Sequence, residues 1–364
     1  MFQSLPWYAL ILLSVGVSAL IAFCATPIVK GLAIKVGAVD VPKDNRRMHK
    51  KPIPRMGGLA IAIAFLLSAI LFSDLDQQMR GILIGSVLIV ILGVMDDIMT
   101  LRAWFKFLVQ IIAAAIVVYS GCTIRYFSNP NFFSSVSVID LGRWSIPITI
   151  IWIVAITNAI NFIDGLDGLA VGVSAISATT LLVIALMVSE ANVAIIMAAL
   201  LGGCLGFLPY NFNPAKIFMG DTGSNFLGFI LATMSIKGMF KLYAIISFVV
   251  PFLILGIPIF DICFSIFRRL AKGQNPMKAD RGHIHHRLID MGFSQKQAVS
   301  ITYMLTALLG LTAVLLTNSG EARALILIGS IFVVGAIGLR FIFNTKNLPP
   351  EEERQLQEVG NEQN

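Results

Sequence analysis

The chain has 364 residues, of which 57% are hydrophobic and only 13% charged, and its mean hydropathy is +0.85. A soluble domain carries about 25% charged residues, so the composition excludes a soluble globular protein, and repeated apolar runs of about 20 residues mark a polytopic α-helical membrane protein. The formal net charge of +7 matters only through its distribution, and nucleic acid is not an expected partner.

Eleven apolar segments follow one another, at about 7–29, 57–73, 81–95, 107–121, 146–160, 169–189, 191–210, 222–239, 243–267, 300–318 and 322–343. The first is too long and too weakly marked for a cleaved signal peptide and reads as a retained helix. The expected fold is all-α with about 11 transmembrane helices. It forms one transmembrane domain over 1–344, followed by a polar tail over 345–364. Cys24, Cys122, Cys204 and Cys263 lie in or beside separate apolar segments without CxxC spacing, which suggests neither a disulfide framework nor a zinc site.

Alternate loops, beginning with 30–56, carry most of the 27 Lys and Arg residues. The opposite side carries Arg80, Arg125, Arg143, Lys237, Lys241 and Arg323. By the positive-inside rule the first set is cytoplasmic, the N-terminus is periplasmic and the C-terminus is cytoplasmic. Surplus basic loops also anchor to anionic lipid heads, so orientation by itself carries no function.

The same side holds every unusual polar cluster. The first is Pro52-Ile-Pro-Arg-Met-Gly-Gly58, and the second is Asp96-Asp97 at the end of the third apolar run. Adjacent carboxylates repel unless a cation or proton intervenes, and the C-terminal end of a helix is a poor place for negative charge. Lys106, at the start of the next helix, can hold a phosphate as a compact point charge.

The stretch NAINFIDGLDG, from Asn158 to Gly168, interrupts an apolar run. At helical spacing Asn161, Asp164 and Asp167 share part of one face; at a broken helix end they ring a loop. Ionisable groups at the edge of a hydrocarbon layer are functional candidates, although Asp, Asn and Gly also serve an ordinary turn. Further along, Phe218-Met-Gly-Asp-Thr-Gly-Ser224 precedes an apolar helix. Its backbone can form a phosphate nest at that helix N-terminus or a plain N-cap. Phe218 can stack or pack against lipid.

Carboxylates on separated loops suit magnesium, with water and substrate phosphates completing its shell. His283, His285 and His286 are flanked by Arg281 and Arg287. That positive charge disfavours a metal and suits phosphate or the polar groups of a sugar, against the alternative of a basic membrane-facing helix.

Two other function classes fit less well. Transporters place acids near the bilayer midplane, whereas only Asp261 here falls well inside an apolar run, about two turns before Arg268. A structural scaffold gives no reason for five polar clusters on one side.

Taken together, RMGG, the Asp pair after the third span, NFIDGLDG, FMGDTGS and the HIHHR loop resemble the polyprenyl-phosphate N-acetylhexosamine-1-phosphate transferase family over roughly 7–343. Within it the chain is similar to bacterial members that use undecaprenyl phosphate. The resemblance implies transfer of N-acetylglucosamine 1-phosphate from UDP-N-acetylglucosamine to undecaprenyl phosphate, with magnesium, or manganese as a substitute. The setting it implies is the bacterial inner membrane, among membrane lipids, with the active site facing the cytoplasm, in the first membrane step of a cell-surface glycan such as O-antigen or enterobacterial common antigen. A homodimer is compatible with it.

By motif match, Asp221 and Asn161 are metal ligands. Asp96 and Asp97 lie beside the lipid phosphate, one of them a candidate base, and Lys106 binds phosphate. Asp164 joins this catalytic group at lower rank. Lys51, Asp167 and Phe218 match uridine-contacting positions, and His283, His285, His286 and Arg287 hold the amino sugar and its phosphates. Thr100 stands in the last place of the Asp-Asp-x-x-Asp pattern of some relatives. The nearest rival within the family is the peptidoglycan muramyl-pentapeptide transferase, which the HIHHR loop disfavours.

Overall fold

A computed structural model describes residues 5–42, 51–128, 138–239, 246–271, 273 and 283–318. The expected segment 322–343, the tail 345–364 and Arg281 lie outside the described residues. The fold is predominantly α-helical. The helices are α1 (Trp7–Lys35), α2 (Gly58–Phe72), α3 (Gln77–Met99), α4 (Ala103–Tyr119), α5 (Ser145–Ile163), α6 (Leu169–Met187), α7 (Ala191–Asn211), α8 (Gly220–Met239), α9 (Ile246–Ile254), α10 (Gly256–Ala271), α11 (Ile284–Asp290) and α12 (Gln295–Asn318). Two small antiparallel ribbons accompany them. One pairs β1 (Val39–Asp40) with β2 (Ile53–Pro54), and the other pairs β3 (Tyr126–Ser128) with β4 (Val138–Asp140).

Six of these stretches are long and apolar enough to cross a membrane: α1, α3, Gly142–Ile163 (which contains α5), α6, α7 and α12 up to Thr317. Gly58–Phe72 and Ala103–Tyr119 are shorter apolar helices. The outer surface is correspondingly greasy, with Leu12, Leu20 and Ile28 of α1, Ile84 and Ile91 of α3, and Leu308 and Leu311 of α12 all exposed. Such a surface belongs against lipid; this is a multi-pass membrane protein.

The expected run 243–267 is not one continuous helix but is divided between α9 and α10 at Leu255. Pro258, one turn further on, has no N–H to bond the Ile254 carbonyl, and Gly256 weakens the helix beside it. The break lets α10 take its own course from α9. The loop after α10 also holds a short helix, α11, that the apolar pattern did not signal.

Between helices in lipid there is little hydrophobic driving force, so small residues and interhelical hydrogen bonds hold the bundle. The α1–α7 seam shows both. Added Cβ atoms at Gly202 and Gly206 would meet the Val15 and Ala19 carbonyl oxygens at 2.3 and 2.2 Å. Along the same seam Ser14 and Ser18 donate to the carbonyls of Ile195 and Ala199 at 3.0 and 2.6 Å. Helix α8 lies at the centre, with Phe226, Leu227, Phe229, Ile230 and Leu231 fully buried.

Candidate active site

The start of α8 is clamped by backbone contacts. Gly57 and Gly58 donate to the carbonyls of Phe218 and Met219 at 2.9 and 2.8 Å, and Phe218 donates to Pro54 O at 2.8 Å. A Cβ on Gly58 would fall 1.9 Å from Gly223 Cα, and one on Gly93 would fall 2.3 Å from Thr222 Cα. The RMGG motif is thus the surface on which the Asp221 turn is laid, and Gly93 lets α3 approach just as closely.

The two adjacent aspartates of α3 have different partners, because successive helical side chains diverge by about 100°. Asp97 accepts from the backbone N–H of Asp221 and Thr222 at 3.0 and 3.1 Å and from Thr222 Oγ1 at 2.6 Å. It therefore caps the N-terminus of α8, where the helix dipole favours negative charge. Asp96 accepts from Leu101 N at 2.6 Å and from Lys106 Nζ at 2.8 Å. Lys106 also reaches Asp221 Oδ2 at 3.2 Å, so one ammonium serves two carboxylates.

Asn161, on the last turn of α5, donates through Nδ2 to Asp221 Oδ1 and Ser224 Oγ, both at 2.7 Å. Its amide oxygen is the atom not used in these bonds. Below it, Asn158 donates to Gln110 Oε1 at 2.7 Å, Gln110 to Asn225 Oδ1 at 3.1 Å, and Asn225 to Asp221 O at 2.8 Å. This chain of amides satisfies polar groups that would be costly in a hydrocarbon interior and braces the Asp221 turn from below.

Helix α5 ends at Ile163, so Asp164 and Asp167 lie in a loop before α6 rather than on a continued helical face. Gly168, at φ 79°, supplies the left-handed turn into α6. Asp167 Oδ2 accepts from Asn213 Nδ2 and Ala215 N at 2.9 and 3.0 Å, and Asn213 also donates to Gln295 Oε1 at 2.8 Å. Loss of bulk water around Asp164, followed by the negative charges of Asp221, Asp97 and Asp167, holds its carboxyl well above the ordinary carboxylate range.

These elements enclose an open cleft of about 1070 Å³. Of the expected site residues, Lys51, Asp97, Asn161, Asp164, Asp167, Phe218, Asp221 and His286 line it. Asp96 and Lys106 are not part of its lining and touch it through Asp221. Arg55, the Arg of RMGG, also lines it, as do Lys30, Lys216, Asn213 and Gln295, which sequence reasoning did not single out. The one signal for Asn213 and Lys216 was their place in the polar NFNPAK stretch just ahead of FMGDTGS.

The His loop closes against the Asp loop. His285 is buried, and a Cβ on Gly165 would lie 2.2 Å from its Nε2. Burial, with a smaller contribution from the nearby His286, pushes the His285 imidazole down to about 3. The Arg287 guanidinium lies over the Phe264 ring at 4.9 Å, a cation–π contact. His283, His285 and Arg287 are not part of the cleft lining; His286 is the member that reaches it.

Among the described residues, no group of three or more His, Cys, Asp or Glu stands close enough to form a metal cage. The oxygen donors Asp221, Asn161 and Asp164 nevertheless line one cleft. That set fits a hard cation held by a few protein oxygens, with water and phosphates completing the shell. A second, apolar groove of about 310 Å³ runs between α5 and the α9–α10 pair, lined by residues including Ile151, Trp152, Ala159, Phe252 and Cys263.

The family model for glycosyl transferase family 4 matches residues 79–239, from α3 to the end of α8. Over 83% of its length the chain is 43% identical to a probable undecaprenyl-phosphate N-acetylglucosaminyl 1-phosphate transferase of Bacillus subtilis, covering 84% of that protein. The chain belongs to glycosyl transferase family 4. A further family member, the decaprenyl-phosphate N-acetylglucosaminephosphotransferase of Mycolicibacterium smegmatis, is 36% identical over 79% of this chain and 77% of its own length. The phospho-N-acetylmuramoyl-pentapeptide-transferase of Clostridium beijerinckii is 31% identical over 74% and 85%. The matched region contains Asp96, Asp97, Lys106, Asn161, Asp164, Asp167, Phe218 and Asp221, so the family model spans both carboxylate loops of the cleft. Membership bears out the resemblance read from the motifs.

Proposed function

We propose that the protein transfers N-acetylglucosamine 1-phosphate from UDP-N-acetylglucosamine to undecaprenyl phosphate at the cytoplasmic face of the bacterial inner membrane. The product, undecaprenyl-diphospho-N-acetylglucosamine, begins a cell-surface glycan. The observation that carries this reading is the convergence on one cleft, at one end of the bundle, of Asp221, Asn161, Asp164, Asp167, Phe218, Lys51 and His286. The names of the relatives from Bacillus subtilis and Mycolicibacterium smegmatis support the acceptor class and the sugar.

In this reading an oxygen of the lipid phosphate attacks the sugar-bearing phosphorus. The bond to the bridging oxygen breaks, and UMP leaves with that oxygen. Such a reaction needs alignment and charge neutralisation more than covalent help. Asp221 and Asn161, with Asp164 nearby, would hold a magnesium ion, which when bound offsets phosphate charge and improves UMP as a leaving group. Lys106 keeps Asp96 and Asp221 in register and adds positive charge at the phosphates. Lys51, Asp167 and Phe218 bind the nucleoside end, Phe218 by stacking. His286 and the loop behind it take the sugar and its phosphate through charge-assisted hydrogen bonds. The apolar groove beside α5 gives the acceptor's hydrocarbon chain a path in the membrane.

The test is purified protein with radiolabelled UDP-sugars, undecaprenyl phosphate and magnesium. Lipid-linked N-acetylglucosamine with release of UMP is expected. Transfer only from a UDP-linked muramyl-pentapeptide, or no lipid-linked product from either donor, would reject the reading.

A further inference from the structure

This inference deepens the reading just given for the His loop and rests on it. Asp261 lies inside α10, 1% exposed, where an apolar side chain would serve packing better. A carboxylate is costly in such a place unless it is fully hydrogen-bonded. Both of its oxygens are used on one target, the start of the His loop. Oδ2 accepts from His283 Nδ1 at 2.9 Å, and Oδ1 accepts from Ile284 N at 2.8 Å. Ser265 Oγ, one turn along α10, lies 3.4 Å from the same His283 nitrogen.

The held imidazole is the centre of a stack. Phe162, from the end of α5, lies 5.8 Å from the His283 ring at an interplanar angle of 18°. His285 lies 5.8 Å from it on a parallel plane, tilted by 6°. His285 then seats on Gly165 between Asp164 and Asp167, and its ring is 4.3 Å from that of His286. A continuous line of contacts therefore runs from Asp261 through His283 and His285 to the Asp loop and to His286 in the cleft. Among the described residues, Asp261 is not part of the cleft lining.

We infer that Asp261 is a positioning residue for the sugar nucleotide: by capping α11 and orienting His283, it sets the His283–Arg287 loop against Gly165 and holds His286 where the donor binds. Its removal frees the loop before the donor arrives, so the donor must order the loop on binding. The effect falls on donor KM and leaves the metal site, which Asp261 does not touch, unchanged.

The experiment compares Asp261→Ala, Asp261→Asn, His283→Ala and the double variant Asp261→Ala/His283→Ala with the wild-type enzyme in detergent. The readouts are donor KM, kcat, the magnesium concentration for half-maximal activity, and hydrogen exchange of residues 283–290 without substrate. Asp261→Ala is expected to raise KM for UDP-N-acetylglucosamine about tenfold, with kcat within about threefold, as loss of two orienting hydrogen bonds implies. Asp261→Asn should be milder, because its oxygen still accepts from Ile284 N. The double variant should be no worse than the worse single one, since the two residues act as a unit. Exchange in 283–290 should quicken while the magnesium requirement stays fixed.

A folded Asp261→Ala enzyme with unchanged donor KM overturns the inference, as do losses that multiply in the double variant. If Asp261→Ala fails to fold, Asp261→Asn and His283→Ala decide, and unchanged donor KM in both overturns it. If the wild type transfers no N-acetylglucosamine 1-phosphate, the proposed function fails. The loop linkage then stands or falls on hydrogen exchange alone, with unchanged protection of 283–290 in both Asp261→Ala and His283→Ala overturning it.

Discussion

Asp97, on the last turn of α3, takes the hydroxyl of Thr222 at 2.6 Å and the Thr222 N–H at 3.1 Å, which joins the end of one helix to the start of another. Its neighbour Asp96 instead faces Lys106. The two should therefore fail differently. Asp97→Asn puts an NH2 group where donors already converge and should lower stability by about 1–2 kcal/mol, the range for a lost N-cap, while leaving the magnesium requirement of any residual activity unchanged. Thermal unfolding in detergent and a magnesium titration check this. A variant with wild-type melting and a raised magnesium requirement would make Asp97 a ligand rather than a cap.

Asp221 should show the opposite pattern. Its two oxygens accept from Asn161 and Lys106, so an amide there sets donor against donor and removes one charge. We expect Asp221→Asn to lower turnover by about 100-fold or more, in line with loss of electrostatic stabilisation at the reacting phosphates, and to shift the magnesium dependence. Near-normal turnover at unchanged magnesium would remove Asp221 from the metal site.

The five polar clusters were legible in the sequence because a bilayer excludes polar side chains. Groups such as Asn161, Asp167 and Asp221 stand out against apolar runs and mark one end of the bundle. What those runs conceal is direction and pairing. Asp96 and Asp97 looked like a repelling pair because linear proximity does not reveal that each faces a different helix. The glycines of RMGG stood only as part of a polar cluster, whereas their partner is the backbone of residues 218–223. Asp261 read only as a boundary marker, since its partner His283 is 22 residues away. The break at Leu255 was invisible to hydropathy, although Pro251 and Pro258 stand on either side of it.

His285 gives a pH dependence of stability. Burial lowers its folded-state pKa from the ordinary 6.5 to about 3. Below pH 6.5 the unfolded chain takes up a proton at this site and the folded chain does not, so the unfolded state binds more protons. Stability from this group is therefore complete above pH 6.5 and is lost as pH falls from there toward about 3. His285→Gln should flatten that part of the profile. Melting temperatures measured at about pH 7.5 and about pH 5 should fall less for the variant than for the wild type. An equal fall in both would mean that His285 is protonated in the folded protein.

Two glycines separate assembly of the fold from closure of the site. A Cβ on Gly58 meets the backbone of Gly223 at 1.9 Å. Neither helix can yield there without moving the Asp221 turn, so Gly58→Ala should destabilise the protein by about 1–3 kcal/mol and abolish activity with it. A Cβ on Gly165 meets the His285 ring at 2.2 Å. That ring belongs to α11, a seven-residue helix that is not one of the long apolar spans. Gly165→Ala should keep most of the stability and the magnesium requirement but push the His loop away from Asp164 and Asp167, raising the KM for the sugar nucleotide. Unfolding curves and donor kinetics on the two variants decide the matter. If Gly165→Ala melts as early as Gly58→Ala, the His loop is part of the folding core; if its donor KM is unchanged, the loop does not need its seat on Gly165 to bind.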